Sequence, residues 1–229
     1  MLPLAVIITT LPADTGLVAT LRTIRAAADE GRAPAEILIA DAGAWADDIA
    51  FAEALGARVL AAPGVARGAQ LVQAAAIGAQ PWLLFLPAGT RLGAGWAAEA
   101  AAFIADPLAT GRAGYFRLGL DDPAPAARRL ERIAAWRARR GLPGGAQGLL
   151  LARGLYEKLG GFRALPVFED VDLARRIGRH RLVGFETEAL ASAAPYRSGF
   201  WLARPALNAA MLMLWFLGVP PARLHRLRG

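Results

Sequence analysis

Between Leu4 and Leu86 the chain alternates four times between an apolar run of strand length and an amphipathic stretch of helix length. The strands read as Leu4–Thr10, Glu36–Ala40 (ending at Asp41), Arg58–Ala61 and Trp82–Leu86. The helices between them read as Gly16–Ala28, Ala46–Leu55 and Ala66–Ile77. That rhythm implies an α/β fold: a doubly wound, mostly parallel sheet flanked by helices. In such sheets ligands sit beyond the carboxyl ends of the strands, where Asp41 and the turn Pro87-Ala88-Gly89-Thr90 fall.

The second half changes character. Gly114–Leu120 reads as a strand, Ala126–Arg140 as a basic helix, Gln147–Ala152 as a strand and Leu155–Leu159 as a short helix. An acidic helix starts after Phe168, and Leu182–Glu186 reads as a late strand. Pro143-Gly144-Gly145 reads as a flexible joint. No tandem repeat or interdomain linker is visible. The expected organisation is one domain over 1–229, divided into segments at 1–110 and 111–195 and a helical appendage at 196–229.

Composition narrows the classes. The 229 residues are 55% hydrophobic, which is ample core material. There is no cysteine, so disulfides, thiolate zinc sites and cysteine nucleophiles are excluded. The formal charge is +7, and all 26 cations except Lys158 are arginine, the residue suited to bidentate contact with phosphates or acidic lipid heads. A bias in composition explains the arginines equally well. The first residues carry no basic leader and read as a strand, so a cytoplasmic location is expected. The apolar run from Pro205 to Gly218 is shorter than the about 20 residues of a membrane span. It suits a helix lying on the inner membrane face, a core helix, or half of a homodimer contact.

Chemistry-bearing residues are few. A carboxylate at Asp41, followed by the small Ala42 and Gly43, can accept hydrogen bonds from a nucleobase or ribose; capping a helix explains it as well. Arg67 and Gln70 lie one turn apart on one helix face, and Arg67 can reach a diphosphate near the helix start. Glu169 and Asp170 can supply a general base. The helix dipole and the arginines at 175 and 176 account for the same acids, with Asp172, structurally. His180 and His225 lack ligand spacing, and neither Ser192 nor Ser198 sits in a nucleophile-type turn. The basic helix around Trp136 has no nucleic-acid motif beside it, so nucleic acid is not an expected partner.

In order along the chain, several segments resemble family 2 glycosyltransferases of the GT-A fold, and within them a bacterial subgroup often encoded near radical-SAM proteins. They are Val6–Thr10, Glu36–Gly43, Gly56–Leu60, Leu83–Arg91, Trp96, Gln147-Gly148, Leu159–Phe162, Glu169-Asp170, Tyr196-Arg197, Arg204, Asn208 and Leu217–Pro221. The resemblance implies a nucleotide-sugar donor of UDP or GDP type, a divalent metal on its diphosphate, and inverting transfer to an acceptor hydroxyl. It implies that Asp41 binds the nucleoside with Gly43 beside it. Arg67, Gln70 and Gly89 would line the donor side. Trp96 and Gln147 would border the donor or acceptor pocket. Asp170, or else Glu169, would be the base.

The chain departs from that pattern where the metal-binding acid should stand, at Pro87-Ala88-Gly89. Magnesium and manganese favour carboxylate oxygens, so metal dependence is expected to be weak and no metal ligand is assigned. Asp14, Asp47 and Asp48 are the nearby acids that could substitute. Three readings stay open: an active transferase whose arginines hold the diphosphate, a catalytically impaired relative that binds a nucleotide, lipid or protein partner, and an interaction protein working through its C-terminal helix.

Overall fold

β1 (Leu2–Thr9, LPLAVIIT) is an interior strand of the sheet, and Leu4 to Ile8 are fully buried. A strand covered on both faces needs a continuous apolar run rather than alternation, which is what this segment provides. The computed structural model describes residues 1–12, 16–197, 201 and 203–228. On one side of β1 lie β2 (Pro34–Asp41) and then β3 (Arg58–Ala61); on the other lies β4 (Trp82–Pro87), and all four run parallel. The connecting helices are α1 (Leu17–Asp29), α2 (Ala46–Ala54) and α3 (Arg67–Ile77). This is the wound α/β half expected from the alternation.

The sheet then continues with mixed polarity. Next come β5 (Arg91–Leu92), α4 (Trp96–Ala105), β6 (Ala113–Leu120), α5 (Pro125–Arg139), β7 (Leu149–Ala152) and α6 (Arg153–Lys158). The chain ends in α7 (Glu169–Ile177), β8 (Leu182–Ala191), the short α8 (Ala194–Arg197), α9 (Ala203–Phe216) and α10 (Pro221–Arg228). The strand order is β3-β2-β1-β4-β7-β6-β8-β5. β7 is antiparallel to both β4 and β6, β8 is parallel to β6, and β5 is antiparallel to β8.

Two segments depart from the sequence reading in ways that bear on the site and the sheet edge. β8 runs past Glu186 to Ala191, because Glu99 of α4 accepts the amides of Glu186 (2.7 Å) and Thr187 (3.0 Å) and carries the strand through a bulge. The Pro143-Gly144-Gly145 segment is pinned rather than a free joint. The Gly144 amide donates to the Gln147 side chain at 3.0 Å and the Gly145 amide to Asp170 at 2.7 Å. No helix among the described residues is long and apolar enough to cross a membrane.

Candidate active site

The site assembles at the carboxyl edge of the parallel strands, where Thr9 ends β1 and Thr10 follows it with the opposite allegiance. The Thr10 hydroxyl donates to Asp41 Oδ1 at 2.6 Å and accepts the Ala42 amide at 3.0 Å. Asp41 Oδ1 also takes the amides of Gly43 (3.2 Å) and Ala44 (2.8 Å). One oxygen thereby organises the loop after β2 in an Asx-type turn. The other, Oδ2, receives no bond from the described residues, so it keeps its acceptor capacity on a half-buried carboxylate. Gly43, at φ 119°, and Gly89, at φ 86°, bring the loops after β2 and β4 against the segment that follows β1: a Cβ on either would lie 3.9 Å from Pro12 Cα or Gly16 Cα.

Thr9 faces the other way. Its hydroxyl accepts Arg67 Nε at 3.3 Å, and Arg67 Nη1 pairs with Glu169 Oε1. Arg67 opens α3 and Glu169 opens α7, so this contact joins the two halves of the chain. Gly68 makes it possible. A side chain there would meet the carbonyl oxygens of Arg163 at 2.5 Å and Leu165 at 2.6 Å, so only glycine lets the segment before α7 come this near. Glu169 is buried. Its burial first, and the neighbouring Asp170 charge second, raise its pKa from the ordinary 4.5, against the pull of Arg67.

Asp170 is turned differently. Its Oδ2 accepts the Gly145 amide at 2.7 Å and its Oδ1 the Val171 amide at 2.8 Å, which fixes the carboxylate at the start of α7. It lines a hollow shared with Arg67, Phe85, Gly145, Gly148, Phe162 and Ala174. Leu149, also on its wall, starts β7 opposite Phe85 of β4. Gly145 sits closely between the cation and the carboxylate: a Cβ there would lie 3.0 Å from Arg67 Nη1 and 3.3 Å from Asp170 Oδ2. Asp172 does not join them. It is clamped by Arg163 (3.1 Å) and Arg176 (2.5 Å), and Arg176 also donates to the Leu159 carbonyl at 2.6 Å.

The structure thus brings Arg67, Glu169 and Asp170 together, and ties Asp41 to them through the consecutive Thr9 and Thr10 rather than through the hollow itself. Gln70 and Trp96 point elsewhere. Gln70 is buried and donates to the Val65 carbonyl at 3.0 Å; Trp96 is buried and donates to the Thr23 carbonyl at 3.1 Å. Gln147, also buried, braces the loop behind the hollow by donating to the Phe116 carbonyl at 3.0 Å. The sequence assigns no site role to Thr9, Thr10 or Gly68. A Thr-Thr pair closing an apolar strand was the available signal for the first two; Gly68 carries none.

The turn from β4 to β5 offers Pro87, Ala88, Gly89 and Thr90, with the Thr90 hydroxyl buried and unpaired. Among the described residues no three His, Asp or Glu side chains gather in a way that could hold a metal ion. Asp14 lies outside the described residues, and Asp47 and Asp48 sit in the first turn of α2. The residues at this turn do not fit a divalent cation held by carboxylates.

No family model matches the chain, and no curated protein sequence matches it. Solved structures do. TarS 1–349 from S. aureus superposes with a TM-score of 0.63 at 12% identity, covering 96% of this chain and 68% of that one. Mannosyl-3-phosphoglycerate synthase from Rubrobacter xylanophilus gives 0.63 at 16% identity, with 93% and 73% covered. Glucosyl-3-phosphoglycerate synthase from Mycobacterium tuberculosis, in complex with Mn2+ and UDP-glucose, gives 0.53 at 15% identity, with 82% and 69% covered. At these identities the likeness is one of architecture, and the chain has the GT-A-type α/β fold.

Proposed function

We propose that the protein is a glycosyltransferase that moves a sugar from a nucleoside diphosphate, of UDP or GDP type, to an acceptor hydroxyl with inversion. The observation that carries this reading is the fixed Asp170 carboxylate lining one hollow with the Arg67 guanidinium, at the strand edge where Asp41 also ends. The solved structures of similar fold, which include one bound to UDP-glucose, support a nucleotide-sugar donor.

Each residue then has a role. Oδ2 of Asp41, with Gly43 leaving room, accepts from the nucleoside. Arg67, anchored by Thr9 and Glu169, turns its remaining N–H groups to the diphosphate and stabilises the leaving oxyanion. Asp170 takes the proton of the acceptor hydroxyl as that oxygen attacks the anomeric carbon and the bond to the diphosphate breaks. Glu169 serves as the counter-charge that orients Arg67, since its carboxylate is buried in that pair. Gln147 braces the loop that walls the hollow, Gly89 lets the turn after β4 approach the segment after β1, and Gln70 and Trp96 act only in the core. A single domain over 1–229 carries all of these parts.

A thermal-shift panel of nucleoside diphosphates and their sugars, with and without manganese, tests this. UDP or GDP is expected to raise the melting temperature, because it binds only the folded state, and manganese to add little. Asp170→Asn is expected to abolish transfer while the nucleotide shift persists. No shift across the panel at millimolar concentration rejects donor binding.

A second reading rests on the acid-free turn after β4: a nucleotide-binding protein that does not turn over. Donor binding with no transfer and no hydrolysis of any nucleotide sugar would select it.

A further inference from the structure

α9 is an apolar helix with a solvent-facing side. Its inner residues, Met211 and Trp215, pack with Val167, Phe168, Val219 and Leu224, which fold α9 and α10 into a hairpin against the chain leading into α7. Its outer side and the turn after it leave Leu207 48%, Met213 66%, Leu214 39%, Phe216 45% and Leu217 78% exposed. A helix apolar all round is normally buried or spans a bilayer. At 14 residues α9 is about 21 Å long, short of a bilayer core about 30 Å thick. A stripe of this kind marks a surface that something covers.

Charge identifies the cover. No acidic residue follows Glu188, whereas Arg197, Arg204, Arg223, Arg226 and Arg228 do. Arg175 adds a cation at the edge of the stripe, its guanidinium 4.9 Å from the Phe216 ring centre. Arg197 is held by Asp122 at 2.6 Å, but Arg223 and Arg226 of α10 are exposed, and a second copy of the chain would bring no acidic residue of this segment to meet them. An anionic bilayer satisfies both components at once, apolar side chains in the acyl boundary and guanidinium groups on lipid phosphates.

We propose that the α9–α10 hairpin docks the protein on an anionic lipid surface, with α9 lying in the plane of the interface. This stands apart from sugar transfer and needs no nucleotide. Its inner face bears on Phe168, the residue immediately before Glu169, whose ring stacks on Trp215 at 5.6 Å. The lipid-facing element is thus packed directly on the start of the acidic helix.

The test is co-sedimentation of the full chain with phosphatidylcholine vesicles, alone or with about one-third phosphatidylglycerol. Binding is expected to the anionic vesicles, weakening with salt, and to be at least roughly tenfold weaker for the double variant Leu214→Glu/Leu217→Glu. Arg223→Glu/Arg226→Glu is expected to lose the preference for anionic lipid. All four side chains are exposed, so unchanged melting temperatures certify folding. Failure to sediment with anionic vesicles overturns the proposal, as does equal binding by folded variants. A concentration-dependent dimer that Leu214→Glu/Leu217→Glu abolishes, without lipid binding, overturns it in favour of self-association. Nucleotide shifts are read without lipid, so the two proposals fail independently.

Discussion

Arg67 and Glu169 are 102 positions apart in sequence, and their ion pair closes the first half of the chain onto the second. Both are largely withdrawn from solvent, 22% and 7% exposed at the side chain. Removing one partner strands the other. Arg67→Ala is expected to destabilise the protein by about 3 kcal/mol at neutral pH in urea unfolding, because the Glu169 carboxylate stays buried without its cation. The loss is expected to shrink in acid, where that carboxylate takes up a proton.

Glu169 sets a pH dependence of its own. Its pKa in the folded state is raised above 4.5, so the native state holds the proton more tightly than the unfolded chain does. Its contribution is therefore full below the unfolded value and is lost as pH rises through the raised one. Stability measured by denaturant from pH 4 upward (about the unfolded range) is expected to carry a falling component that Glu169→Gln removes. An identical pH profile in the variant would refute the assignment.

Gly68 offers a test of the close approach. Alanine there gains about 1 kcal/mol of intrinsic helix propensity. It also drives a methyl group into the carbonyls of Arg163 and Leu165. Repulsion is expected to win, with a net loss of about 1–3 kcal/mol and a weaker nucleotide-induced thermal shift, since Arg67 moves with the helix start. A more stable Gly68→Ala would show that the segment before α7 can retreat freely.

Phe168 is the one non-glycine among the described residues with a left-handed backbone, at φ 65°. Such a conformation costs about 1–3 kcal/mol and persists where surrounding contacts hold it. The Trp215 ring is that contact. Trp215→Ala is expected to lower kcat for transfer more than it raises the donor KM, because Asp170 loses its fixed start-of-helix position while Asp41 is untouched. Faster amide exchange at residues 168–171 would accompany it.

Much of this was legible in the residues. The β/α alternation placed β1 to β4 within a residue or two, because a buried parallel strand and an amphipathic helix have different periods. Asp41, Glu169 and Asp170 stood out as acids at element ends. The sequence could not reveal that Gln70 and Trp96 face inward, since a polar residue on a helix and an indole beside a glycine turn look alike whether they line a pocket or brace a core. The two-residue β5 has no period to detect. The pinning of Gly145 by Asp170 depends on a backbone amide, which leaves no trace in side-chain identity.

Glu99 has a consequence for how these molecules behave in a crowd. β8 lies one strand from the end of the sheet, and its cover, β5, pairs with only two of its residues, Ala189 and Leu190. The Glu99 carboxylate occupies the amides of Glu186 and Thr187, and the Gly93 amide occupies the Glu188 carbonyl at 2.8 Å. A foreign strand arriving there finds its docking groups already taken, in a stretch the bulge has bent away from flatness. Replacing Glu99 by alanine is expected to free those two amides and leave the seam open to a foreign strand.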